Sequence, residues 1–442
     1  MANPADVALI LSRTSFFPTQ ARVQELSAMD WNQVVAMVVD QAARPQVGVP
    51  PLKNIYLSSE FDDYIAFTNF EIQRLADPSL GLGDRMLWFW HGLLTSSWDK
   101  VFETGLLVRQ HQLLAKYALG NFRHLMYQLT VDAAMVFYLD LAFSRATAPN
   151  ENYAREVMEL FMLGRGNYTQ DDVKAAALGF AGFTISGYPQ TGGATYNPDN
   201  LQVQFDGSGA YAGPLNYLGQ SLQMDGGRTQ YQKIIDAILN LSPSPGVYTC
   251  AEYIVTRLFR YFVHSDPDPA TITSLATTFR NSNYEILPVL SALFRLPDFL
   301  TSRGARARQP METILLIVAG FGARLSNFDF FWSYLFVTGQ QPFNPPNVAG
   351  WPLDDRWLSA SQVLARANMA STGYNGAGKK LIKQLRKSKD PVTLALNAMS
   401  IYNASDATIA VMTQAAATQS DPQARGRLLL TLAALSPEFA LS

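Results

Sequence analysis

Five ionisable residues on otherwise apolar stretches are the candidates for acid–base chemistry in this chain: Glu156, Glu159, Arg155, His91 and Asp140. Three of them fall in Asn152–Gly164 (NYAREVMELFMLG). On a helix advancing about 100° per residue, Tyr153, Val157, Leu160 and Phe161 share one face. Met158 and Met162 turn toward Arg155, and Glu156 falls between Leu160 and Leu163. Little of that circumference is left for solvent, so the helix is predicted to be buried on several sides. A carboxylate among leucines must be paired, hydrogen-bonded or protonated. Glu156 is then either a raised-pKa acid or base, or half of a carboxylate pair, or else part of a buried ion network that fixes helix packing. Arg155 and Glu159 have i,i+4 spacing and are predicted to pair, which leaves Glu156 to find a partner on another helix.

His91 lies in Arg85–Trp98 (RMLWFWHGLLTSSW), which is apolar around most of its circumference. A neutral imidazole there needs a hydrogen-bond partner. It would titrate near pH 6–7 and could shuttle protons. The places three and four residues away are held by Leu87, Trp88, Leu94 and Thr95, so no metal pair is formed on this helix and a satisfied core histidine is the simpler role. Asp140 closes the apolar run Met135–Leu139 and is placed to pair with Arg155 or His91, or to hydrogen-bond a loop. An enzyme reading requires all five residues to converge at the floor of a cleft.

A second group is a set of binding candidates: Asn344, Asn347 and Trp351 in Asn344–Pro352 (NPPNVAGWP). Two prolines fix φ there and Gly350 allows a backbone conformation closed to other residues. Such a rigid loop either presents a recognition surface at low entropic cost or joins helices at a fixed angle. Trp351, with Trp357 nearby, could stack on a sugar or plug the core. In Asn167–Asp172 (NYTQDD), Thr169 with Asp172 three residues on has the form of a capping box, and the alternating oxygen ligands of a calcium loop are missing.

Other chemistries lack their signatures. The chain has no G-x-S-x-G, H-E-x-x-H, Walker or G-x-G-x-x-G motif. Its one cysteine, Cys250, rules out an intrachain disulfide and a thiolate metal cluster, and has no evident base. No metal and no cofactor are expected. A formal net charge of −2 gives no bulk attraction for a phosphate backbone, so nucleic acid is not an expected partner. The basic run Lys379–Lys389 (KKLIKQLRKSK) reads as a solvated helix face. No apolar run of about 18 residues predicts a membrane span. The first twenty residues lack a basic, apolar and small-residue export pattern, so the expected setting is cytoplasmic, or extracytoplasmic if the chain is a mature form.

The elements that must position these residues are mostly helical. Of 442 residues, 48% are hydrophobic and only 16% charged, which suits a large core. Helical spacing is predicted at Ala5–Thr14, Gln20–Ala43, Phe61–Leu75, Gly83–Trp98, Phe102–Tyr117, Asp132–Ser144, Glu151–Leu163 and Thr169–Phe180, and again from Thr229 to Glu438 with breaks. Between them, residues 184–224 are rich in Gly, Pro, Asn, Tyr and Gln, and Leu201–Phe205 (LQVQF) alternates with a period of two. The expected architecture is a mainly α, large multi-helical globular fold with a small irregular or β-hairpin insertion. Residues 1–183 are expected to form an N-terminal helical core, 184–228 the insertion and 229–442 a C-terminal helical part packed on the first, together one continuous unit.

The ordered segments WFWH (Trp88–His91), ALGNFR (Ala118–Arg123), APNENYAREVMELFMLG (Ala148–Gly164), YTQDDV (Tyr168–Val173), FNPPNVAGWP (Phe343–Pro352) and LSPEFAL (Leu435–Leu441) resemble the DUF 1800 family, bacterial proteins of unassigned activity. The resemblance spans nearly the whole chain and implies a helical fold. It also implies neighbours of the DUF 1501 type and an envelope or extracellular setting for relatives. Many relatives carry a second histidine just after the position of His91, where this chain has Gly92 and Leu93, and some carry histidine at Phe161. The missing catalytic signatures and the long irregular insertion lead to the expectation of a helical binding or assembly protein acting with another protein or a surface polymer. The alternatives are a hydrolase-like enzyme using the Glu/Asp/His cluster, and a polysaccharide-binding protein.

Overall fold

A computed structural model describes residues 1–16, 18–52, 60–186, 201–321, 328–353, 355–373 and 378–442. The fold is mainly α: among these residues there are helices throughout and two small two-stranded antiparallel sheets. Many helices start where a short polar side chain precedes proline. Asn3, Asp268, Asp390, Asp421 and Ser436 each cap a helix whose first residue is Pro4, Pro269, Pro391, Pro422 or Pro437. The side chain accepts a bond from a free backbone N–H, and proline occupies a place where an N–H would be unpaired anyway. Thr169 and Asp172 form the predicted capping box at the start of Gln170–Phe180.

The single helix expected over Gln20–Ala43 is instead three pieces: Gln20–Ser27, Trp31–Val35 and a π-helical turn at Ala36–Asp40. The break comes from a second capping box, in which Asp30 and Gln33 satisfy each other's backbone N–H groups.

Within the insertion, Phe183–Ile185 pairs with Val203–Phe205, so Phe183 faces Phe205. The predicted alternation at LQVQF is thus a strand; residues 187–200 lie outside the described ones. A second hairpin joins Ala212–Tyr217 to Gln220–Asp225 through Leu218 and Gly219, both at positive φ. The Leu218 N–H donates to Asp172 Oδ1 at 2.7 Å, tying this hairpin to the Gln170–Phe180 helix.

The helix Leu82–Leu93 is the centre of the molecule, with every residue except Gly92 buried. A helix apolar all round has to be covered on all sides. Part of its cover is the 339–351 loop, which is non-helical as predicted.

Candidate functional site

The loop and the central helix recognise each other through polar groups. The Phe343 N–H donates to His91 Nε2 at 3.0 Å, and Thr95 Oγ1 donates to the Val348 carbonyl at 2.8 Å. The Trp98 N–H donates to the Phe343 carbonyl at 2.8 Å. Asn344 Oδ1 accepts from Ser97 Oγ at 2.6 Å and from the Asp99 N–H at 3.2 Å. Trp351 is buried and stacks on Trp88 with ring centres 5.8 Å apart. Asn347 Oδ1 accepts from the Ala349 N–H, shaping the turn itself. Of the three binding candidates, Asn344 and Trp351 therefore hold the loop to the helix, and Asn347 closes it.

His91 is 3% exposed and is packed against Trp88, Phe343, Trp351 and His111. Burial first, and the neighbouring His111 second, push its pKa down to about 3. This replaces the expected titration near pH 6–7: an imidazole that accepts a backbone N–H in a sealed site stays neutral. The unfolded histidine titrates near 6.5, so between pH 6.5 and 3 the unfolded chain binds a proton that the folded chain does not. The corresponding stability is complete above pH 6.5 and is lost as pH falls toward 3. His91→Gln keeps an acceptor for Phe343 but cannot titrate. Urea midpoints at pH 7 and pH 5 should differ less in this variant than in the natural chain; an unchanged difference would refute the assignment.

Behind His91 runs a chain of ionisable side chains. His111 Nε2 lies 3.1 Å from Glu71 Oε1. Glu71 takes two bonds from Arg74, at 2.7 and 2.8 Å, and Arg74 also donates to Asp84 on the first turn of the central helix. Burial opposes ionisation of Glu71, but His111 and Arg74 outweigh it and hold the carboxyl at about 2.

A second buried network is centred on Glu312. Its carboxylate accepts from Arg85, from Arg306 at 2.7 Å and from the Gln309 N–H at 2.8 Å. Burial raises its pKa, but the two guanidiniums overcome that and hold it far below the usual range. Arg85 also lies over the Phe16 and Tyr261 rings. Gln309 Oε1 accepts from Trp88 Nε1 and Gln340 Nε2, which joins this network to the aromatic cluster around His91.

Most of these interior groups use one another as partners, although Arg85 Nε and Nη1 and both ring nitrogens of His111 are buried without a hydrogen bond. The cavity beside them is lined by Trp88, Gly92, Leu93, Arg257, Gln309 and Trp351, and its volume is about 20 Å3, room for about one water molecule. Among the described residues no three metal-ligating side chains come together. Phe161 is fully buried.

The other predicted site residues lie elsewhere. The segment expected as a continuous buried α-helix is an α-helical turn, Asn152–Glu156, followed by a π-helix, Val157–Met162. The wider π turn changes the angular step, so the wheel that placed Glu156 among leucines does not apply. Glu156 is half-buried, and its pKa is raised by burial and then by Glu159. Arg155 does not pair with Glu159: it binds Glu151 at 2.9 Å and Gln170 at 3.1 Å. Glu159 accepts from Arg165 at 2.6 Å and Tyr168 at 2.8 Å, and these bonds lower its pKa. Asp140 sits at a left-handed turn, φ 60°, where Lys100 at 2.8 Å and Asn152 at 3.0 Å hold it in place of Arg155 or His91.

Next to Lys100 is an aromatic cluster. Trp98 contacts Phe61, Tyr64 and Phe102 at ring separations of 5.7, 4.7 and 5.7 Å. Phe61 and Phe102 are 54% and 55% exposed.

Mainly helical architecture and a signature built from Leu82–Leu93, Asn152–Met162 and the 343–352 loop define a class of large helical proteins. The chain belongs to the family described as protein of unknown function (DUF1800), whose model matches residues 9–441. Comparison with curated proteins and with solved structures gives no match for either. No described helix is long and apolar enough to cross a membrane.

Proposed function

We propose that this chain is a binding protein for a surface polysaccharide and that its buried polar networks serve the fold. The observation that carries this reading is the pair of exposed rings, Phe61 and Phe102, set on the half-buried Trp98 beside Lys100, Asp140 and Asn152. Exposed rings offer flat apolar area to the C–H faces of sugars, and the adjoining charged and amide groups can hydrogen-bond hydroxyls. The placement of His91 supports the same reading, because the imidazole is sealed while Glu156, Glu159 and Asp140 lie outside it. Electrophoresis through gels containing neutral or acidic polysaccharides tests the idea. Phe61→Ala/Phe102→Ala should lose retardation that the natural chain shows. If no polysaccharide retards the natural chain and the same face instead captures a protein, the proposal fails in favour of a protein partner.

One observation favours a hydrolase-like alternative. Glu156 and Glu159 are three residues apart and their pKa values are pushed in opposite directions, the relation expected of an acid and base pair. Glu156→Gln decides it. Polymer retardation with no hydrolysis by either protein supports binding; hydrolysis by the natural chain that is lost on substitution supports the enzyme.

A further inference from the structure

A cavity of about 790 Å3 opens between the Pro4–Thr14 helix, residues 300–304, residues 400–406 and residues 438–442. Its size is in the range of small-molecule sites. It shares no lining residue with the aromatic face. Arg308 stands in its wall, only 7% exposed. Its Nε is sealed from water without a hydrogen-bond partner, and no carboxylate pairs with the guanidinium among the described residues. The neighbour it does have is the Phe439 ring, 5.4 Å away.

Two acids, Asp406 and Glu438, share the lining with Arg308, but among the described residues none forms an ion pair with it. Glu312 is already engaged by Arg85 and Arg306. Arg13, fully buried, donates to the carbonyl of Ser302 and to an oxygen of Ser442 but has Nε and Nη1 unpartnered. Burial pushes Arg308 down to about 10, with Glu312 opposing and Arg306 and Arg85 adding to the shift. A buried guanidinium with open donors beside a cavity is costly unless an anion answers it.

We propose that this cavity binds a small molecule carrying one carboxylate, which Arg308 grips through its guanidinium, with Ser12, Tyr402 and Asn403 available to the rest of the ligand. Glu438 and Asp406 are also in the lining. Glu438 already accepts from the Ser405 N–H at 2.8 Å and Thr408 Oγ1 at 3.0 Å, so it remains ionised at neutral pH. Two acids in the lining select against a doubly charged phosphate and for a single carboxylate.

Titration calorimetry of the full chain with glucuronate, pyruvate and inorganic phosphate tests this. At least one carboxylate should bind saturably, with a dissociation constant on the order of 1 mM or below, and phosphate should bind more weakly. Arg308→Met should weaken the carboxylate by roughly tenfold or more. Ala404→Trp, which adds bulk at another position of the lining, should do the same, so the test survives poor folding of the arginine variant. The proposal is overturned if neither carboxylate binds, if phosphate binds tighter, or if a folded Ala404→Trp chain binds as the natural one does.

Discussion

Glu312→Gln is expected to lower unfolding free energy by about 3–5 kcal/mol, because it removes the charge that answers two guanidiniums in a sealed interior. Arg85 is completely buried and Arg306 nearly so. Both depend on this one carboxylate, and the amide of glutamine offers one neutral oxygen in its place. The contrast is the surface pair Arg22–Glu25, whose N–O distance is 2.6 Å with both side chains substantially exposed. Glu25→Gln should cost at most about 1 kcal/mol, since solvent screens an exposed pair and the two ordered side chains lose entropy. Urea denaturation of both variants measures the difference. Equal midpoints would mean that the Glu312 network is open to water and does not organise the core.

Gly350→Ala is the second large effect, with an expected loss of about 2–5 kcal/mol from backbone strain combined with overpacking. Gly350 has φ 75°, and a Cβ there would run into the Gly92 carbonyl on the central helix. The loop would have to lift, with the loss of the His91–Phe343 and Thr95–Val348 bonds. Gly339→Ala separates the two costs. Gly339 has nearly the same φ, 77°, but nothing lies within 4 Å of its would-be Cβ. Only the left-handed strain, about 1–2 kcal/mol, should remain there. Hydrogen exchange at Phe343 reports the docking directly: it should accelerate strongly in Gly350→Ala and little in Gly339→Ala.

Much of the fold was legible because its signals are local. The capping box at Thr169, the alternation in LQVQF and the proline-containing loop each depend on residues within a few positions of one another. Asp30 and Gln33 gave the same kind of signal and mark a real break inside the stretch taken as one helix. The π turn at Val157–Met162 left no such mark, because periodicity arguments assume 3.6 residues per turn. That is why Glu156 was placed among leucines, and why Arg155 was paired with Glu159 and not Glu151.

The interior networks were illegible for a different reason. His91 is bonded to Phe343, Arg85 to Glu312 and Arg13 to Ser302, each partner more than two hundred positions away. Sequence marks such residues only as charges in apolar surroundings, and Glu71, between Phe70 and Ile72, carried that mark. It did not say that His111 and Arg74 would meet it. Asn344 and Trp351 lie on a loop that its prolines mark, but the choice between facing a ligand and facing the core depends on the central helix opposite them.

The separation of a sealed framework from an outward binding face is tested most directly by one gel experiment. Retardation in polysaccharide-containing gels should be measured for the natural chain, Phe61→Ala/Phe102→Ala and His91→Gln, each shown to be folded at pH 7. Retardation is predicted to disappear in the double variant and persist in His91→Gln. Loss of retardation in His91→Gln, with full retention in the double variant, would place binding at the imidazole and contradict the account.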